Sequence, residues 1–279
     1  MITTRPRHGT LLFAGACSLV LLVGCSNQPT YPKEHLTESL QQLLIADHLE
    51  ASIRFLDHTL AVALTYPGAL TEADGQIGLG PTFDDASRKV LTSLHRVILS
   101  SNADVQFYVL LISDPQVPGA YLTIVRYIDD VRRANANMLD TPEMFARTIL
   151  ELSFAPNSTV SLEQYVPRDI QLGEFLSWQL ARRIQRALTT DLQTATPLTV
   201  GRCGGEYRNG EFILSLNVAP TANGPLDDET VRKVFETSSK IAAKVLSSYR
   251  FESFRDIRLI HPLSGRNLVL PKTSLQIFR

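Results

Sequence analysis

The sequence predicts an α+β fold of two tandem two-layer units, each an antiparallel strand-strand-helix-strand-strand repeat with additional helices, and three observations predict it. Asp84-Asp85-Ala86-Ser87-Arg88-Lys89-Val90 recurs as Asp227-Asp228-Glu229-Thr230-Val231-Arg232-Lys233-Val234, each time opening an amphipathic helix. Both helices close alike, at Leu99-Ser100-Ser101 and Leu246-Ser247-Ser248, and the second is three residues longer, close to one turn, which keeps its buried face in phase. Each helix also lies between two strand pairs. A single amphipathic helix covers one face of a sheet, so two layers per unit are the natural solution.

In chain order, the first element is a leader. Arg5 and Arg7 precede an apolar run from Leu11 to Val23 with no acid before Cys25, the layout of a secretory signal peptide. About 13 apolar residues fall short of the roughly 20 that span a ~30 Å hydrocarbon core, so cleavage is expected rather than a retained helix. Leu22-Val23-Gly24-Cys25 resembles the bacterial lipobox. The resemblance implies removal of residues 1–24, acylation of Cys25, and a membrane partner reached through that anchor. Two or three acyl chains, each buried methylene adding about 0.8 kcal/mol, hold a chain without a spanning helix. Ser26, where an Asp would imply inner-membrane retention, points to the periplasmic face of the outer membrane in a two-membraned cell. In a single-membraned cell the outer leaflet of the plasma membrane is expected. Residues 25–35, with two prolines, read as the lipidated tether.

The first repeat is assigned to residues 36–134. Thr37 is placed as the cap of a helix carrying Leu40, Leu43 and Leu44. Ser52 to Phe55 turns at Asp57-His58 into Leu60 to Tyr66, and residues 68–82 read as a Gly-rich loop. On the following helix Val90, Leu91, Leu94, Val97 and Ile98 share one face. Val105 to Ile112 and Tyr121 to Val125 form the second strand pair. Residues 135–168 are a helical linker, with Thr141-Pro142-Glu143 starting a helix that runs to Leu152.

The second repeat is assigned to 169–279. A long helix from about Asp169 carries Leu172, Phe175, Leu176, Leu180, Ile184 and Leu188. Cys203 to Tyr207 and Phe212 to Val218 flank Asn209-Gly210, a strong hairpin signal. Val231, Val234, Phe235, Ile241, Ala242 and Val245 form one helical face. Phe254 to Ile260 and Asn267 on to Ile277 complete the unit. The acidic pairs that open the two repeated helices read as caps and dipole partners, not catalytic carboxylates.

Without residues 1–24 the chain keeps 255 residues with 25 basic against 28 acidic side chains, a net charge of −3. That balance excludes broad electrostatic capture of nucleic acid. With Cys17 removed and Cys25 acylated, Cys203 is the only thiol left, so no intramolecular disulfide forms. No metal or cofactor is implied: sulfur and clustered His are too few.

Gly75-Gln76-Ile77-Gly78-Leu79-Gly80 carries its glycines in the wrong order for a dinucleotide loop and lacks a following Lys-Ser/Thr. Asp47-His48 and Asp57-His58 put carboxylate beside imidazole, but sequence neighbours on a strand or turn point apart. His35 and Glu38 can share a helix face, though a lone pair is a weak metal site. Arg182, Arg183 and Arg186, with Trp178 nearby, form an exposed basic cluster suited to a partner or lipid headgroup. The expectation is therefore a membrane-anchored, non-enzymatic module binding an envelope protein or polymer. The alternative is an envelope hydrolase or small-ligand binder with its site between the repeats.

Overall fold

The structure, a computed structural model, describes residues 29–155, 161–193, 198–221 and 226–278. The expected leader and the expected acylation site at Cys25 lie outside them.

The fold is mixed α+β. A 3-10 turn at Lys33–His35 runs straight into α1 (Leu36–Ala46), so Thr37 is already inside the helix and His35 holds the cap position without a side-chain capping bond to the helix backbone. Strands β1 (Ala51–Phe55) and β2 (Thr59–Thr65) form the first hairpin. The expected loop at 68–82 contains a second, small one, β3 (Leu70–Ala73) with β4 (Gln76–Leu79). Asp74 and Gly75 turn it with φ of 53° and 72°, the left-handed pair that a two-residue hairpin turn demands. Helix α2 (Phe83–Leu99) follows, then β5 (Phe107–Ser113), β6 (Ala120–Tyr127), α3 (Ile128–Asn135) and α4 (Thr141–Arg147).

The helix expected to reach Leu152 stops at Arg147, and Ile149–Phe154 is a strand, β7. The physical reason is period: Ile-Leu-Glu-Leu-Ser-Phe alternates between two faces, and Thr148, extended at ψ 132°, turns the chain into register with β6. Sheet 1 therefore has five strands in the order β1-β2-β5-β6-β7.

A short helix α5 (Leu162–Tyr165) leads to α6 (Leu172–Gln193). Strands β8 (Leu198–Val200), β9 (Gly204–Arg208), β10 (Glu211–Ser215) and β11 (Val218–Pro220) precede α7 (Asp228–Ser248), and β12 (Asp256–His261) and β13 (Arg266–Pro271) follow it. Sheet 2 has the order β13-β12-β10-β9, while β8 and β11 pair separately. The chain from Lys272 onward, expected as strand, is a 3-10 turn. In both sheets the hairpin pairs are antiparallel as expected, but the central pairs, β2 with β5 and β10 with β12, are parallel. The cause is the helix between them, which carries the chain back to the end where the preceding strand began.

Burial sets the layers. One face of sheet 1 packs on α1 and α2 through Leu60, Val62, Tyr108, Leu110, Leu122 and Ile124. Its other face, through Ala61, Phe107, Val109, Leu111 and Val125, joins a second core with α6, α7 and sheet 2. Phe107 and Phe175 of α6 meet with ring centroids 5.3 Å apart. Sheet 1 is thus covered on both faces, which explains why β5 is buried from Phe107 to Ile112 without a break. Sheet 2 shows alternate burial along β10, as one covered face requires.

A candidate ligand cleft between the two sheets

Where α6 passes between β7 and the start of β9, a cleft of about 700 Å³ remains open. Glu174, Trp178, Ala181, Arg182 and Gln185 recur at helical spacing, so one side of α6 lines it. Opposite stand Thr123 and Val125 of β6 and Ile149 and Glu151 of β7. Tyr165 to Ile170 close one end, and Arg202 to Gly205 the other.

The charges inside it are paired. Arg182 donates to the Leu150 carbonyl at 2.7 Å and to Glu151 at 2.6 Å, and Arg202 reaches the second oxygen of the same carboxylate at 2.5 Å. Glu151 is therefore shared by two guanidiniums. Arg168 grips both oxygens of Glu174 at 2.9 Å. An oxygen of Asp169 accepts from the His58 amide, and Gln185 accepts from the Cys203 amide. Tyr165 shares a 2.7 Å hydrogen bond with Thr123 and stacks edge-on against Tyr121; burial pushes its hydroxyl above the usual phenol range. The Cys203 thiol is buried in the cleft wall, and that burial pushes it up, away from the thiolate a nucleophile needs. The arrangement supplies hydrogen-bond donors and an aromatic wall. It does not supply an unpaired carboxylate or an imidazole beside a nucleophile.

The predicted basic cluster is divided. Trp178 and Arg182 line the cleft. Arg183, half-buried, turns to Glu143 at 3.0 Å and the Ala146 carbonyl, and Arg186 stands exposed on the surface. Sequence reasoning missed Glu151 and Arg202, whose partners arrive from other segments. His35 and Glu38 do pair, at 3.0 Å on the exposed first turn of α1. Asp47 instead accepts from Ser93, and His58 sits against Asp104, so neither Asp-His neighbour pair acts as a unit. The six-residue Gly75–Gly80 run forms the β3–β4 turn and strand. Among the described residues, no cluster of three or more His, Cys, Asp or Glu is arranged to hold a metal, and no helix is long and apolar enough to cross a membrane.

A second polar constellation joins α3, α4, α6 and α7. Arg147 and Asp130, both buried, meet at 2.7 Å, and the Tyr249 hydroxyl donates to the other Asp130 oxygen at 2.5 Å. Gln179 donates to Tyr249 at 2.8 Å and to the Arg147 carbonyl. The Arg147 guanidinium lies over the Tyr249 ring, 4.5 Å from its centroid. Burial would raise the Glu143 carboxyl, but Arg147 and Arg183 together hold it below the usual carboxylate range. Every charge here has a partner, so the network reads as a clamp holding the helices of the two sheets together.

No protein-family model and no curated protein sequence matches this chain. Among solved structures, the crystal structure of the sex pheromone staph-cAM373 precursor aligns over 88% of this chain and 83% of its own, at 10% identity and a TM-score of 0.20. At that score the likeness carries no inference about fold or function.

Proposed function

We propose that the protein is a lipid-anchored lipoprotein of the bacterial cell envelope, attached through Cys25, whose task is non-enzymatic binding of an envelope protein or polymer in the cleft between two tandem α+β repeats. The cleft is the observation that carries this reading. It joins the two sheets, is lined by the only tryptophan of the chain, and keeps its carboxylates engaged by arginine or backbone amides, leaving donors to receive a ligand. Duplication is supported by the common order of hairpin, helix and hairpin around a parallel central strand pair. The anchor is supported by the Leu22-Val23-Gly24-Cys25 motif behind two arginines. The expected address is the periplasmic face of the outer membrane, or the outer leaflet of the plasma membrane in a single-membraned cell. A small organic ligand is the second reading, favoured by a volume within the range of ordinary ligand pockets.

The test has two arms. Cys25→Ser should abolish acyl-chain labelling and release the chain from membranes. The double variant Trp178→Ala, Arg182→Ala should stay anchored yet lose whatever wild type captures on crosslinked membranes. Capture unchanged in the double variant would remove the cleft from the function. Labelling of the Cys25→Ser chain would remove the anchor.

A further inference from the structure

The β7 wall of the cleft is a sheet edge. Among the described strands β7 pairs with β6 alone, from Ile149 opposite Val125 to Phe154 opposite Ala120. Antiparallel strands turn alternate residues' backbone groups toward and away from a partner. The Ala155 amide donates to the Gly119 carbonyl, so residues 149, 151 and 153 face β6, while Leu150, Leu152 and Phe154 point outward. Arg182, bonding the Leu150 carbonyl from outside the sheet, agrees. That carbonyl keeps a second lone pair, and the outward groups of Leu152 bond to no other described residue.

The side chains follow the same alternation. Leu150, Leu152 and Phe154 are 43%, 38% and 56% exposed, in register with Ile124, Leu122 and Ala120, on the face away from the cleft. Glu151 lies on the cleft face, between Arg182 and Arg202, where two guanidiniums on one carboxylate leave a net positive charge. The other cleft carboxylates are engaged, whereas Trp178 Nε1 and the Gln185 side-chain amide donate to no described residue. The spare capacity is for acceptors.

We infer that an extended peptide adds to β7 as a sixth strand of sheet 1. Its alternate apolar side chains cover the Leu150–Leu152–Phe154 row, and an acidic side chain on its other face meets Arg182 and Arg202. This rests on the reading of the cleft as a binding site. A foreign acidic strand fits better than a second copy of the chain. Antiparallel pairing of β7 with its twin about Leu152 puts Glu151 opposite Ser153 and brings only a carboxylate already held by arginine.

The experiment uses the full-length chain in detergent and a blocked seven-residue peptide, valine at alternate positions and glutamate at the centre, with Trp178 fluorescence as the readout. Saturable binding is expected, weakened about tenfold or more when lysine replaces glutamate, since a charge-assisted bond becomes a repulsion. Arg202→Gln should narrow that preference. N-methylation of the peptide amides that face β7 should remove binding, while methylation of the opposite set should spare it. Leu152→Pro should also remove binding, because it deletes an outward amide and no β6–β7 bond; the methylated peptides give the same answer without any folding risk. Equal binding of the glutamate and lysine peptides, or indifference to methylation, overturns strand addition. So does a dimer of the wild-type chain that Leu152→Pro dissociates, which would give the edge to a second copy. If these peptides fail while the partner captured on membranes still depends on Trp178 and Arg182, strand addition falls and the binding cleft stands.

Discussion

Gly204 and Gly205 are adjacent on β9, yet an added methyl group should act oppositely at the two. A Cβ on Gly205 would lie 2.0 Å from the Ser177 carbonyl oxygen of α6, whereas one on Gly204 would meet only the Ser215 side chain, at 3.8 Å. Ordinary contact begins near 3.4 Å, so Gly205→Ala drives α6 away from β9 by roughly 1.4 Å. The obstacle is helix backbone, which cannot swing aside as a side chain can. Overpacking of this kind costs about 1–3 kcal/mol. Gly204, whose φ is not left-handed, should gain about 0.4–1 kcal/mol from a stiffer unfolded chain. With a urea slope of about 3 kcal/mol/M, the two midpoints should differ by about 0.5–1.3 M. Urea unfolding followed by Trp178 fluorescence measures this directly, because the reporter follows Ser177 on α6. A Gly205→Ala midpoint equal to wild type, or a Gly204→Ala midpoint lowered as far, would refute the close contact between α6 and β9 that shapes the cleft.

Three further outcomes are expected. His95, held neutral by burial and the nearby Arg126, is pushed down to about 4, so its stabilisation is complete above pH 6.5 and is lost as pH falls toward 4. The loss approaches about 3 kcal/mol; urea midpoints against pH should fall more steeply for wild type than for His95→Gln, and parallel curves would contradict it. Tyr249→Phe leaves Asp130 and Gln179 each short of a buried partner and should cost about 1–3 kcal/mol by the same unfolding assay. Asp227, which accepts from the Thr230 amide at 2.7 Å, caps α7, so Asp227→Ala should cost about 1 kcal/mol, whereas Asp84→Ala, at a helix start where no side-chain cap bond forms, should change stability by less than about 0.5 kcal/mol.

The hairpins and long helices were legible because their signals are local. Asn209 and Gly210 adopt the left-handed φ of 52° and 77° that the dipeptide announces, and Val90, Leu94, Val97 and Ile98 are buried at the spacing that placed them on one face. β7 was not legible, because Thr141-Pro142-Glu143 is a genuine helix start and its pattern was extended past Thr148 into a segment whose period is two. Asp227 is the cap that the sequence suggests, whereas Asp84 caps nothing and Asp85 pairs with Lys89. The cleft was half visible. Trp178 and Arg182 stood out on α6, but Glu151 lies 31 residues from Arg182 and 51 from Arg202, and no spacing rule links residues that only tertiary packing brings together. Grouping Arg182, Arg183 and Arg186 by proximity also failed for a geometric reason: a helix turns about 100° per residue, so Arg182 and Arg183 look toward different neighbours.

Of the strands that escaped the sequence reading, β7 is the one that makes the site. Sheet 2 ends at β9, whose Gly205 lets α6 lie directly on it, whereas sheet 1 carries one strand more. β7 joins sheet 1 to α6 through Arg182, which bonds the Leu150 carbonyl and Glu151 across the gap. A polar span in place of a packed seam leaves space, and that space is the cleft. Filling the seam should therefore abolish the site without harming the fold. Arg182→Leu, Glu151→Leu would leave Arg202 free in solvent and bring apolar side chains together across the gap. Replacing a paired charge by leucine on both sides is often neutral or stabilising by about 1–4 kcal/mol when the site is buried, and less here because Arg182 is partly exposed. The double variant should unfold at or above the wild-type urea concentration while losing ligand-dependent change in Trp178 fluorescence. A marked loss of stability would mean that the arginine bridge is a structural strut, and that the cleft is the by-product of a charge network rather than its purpose.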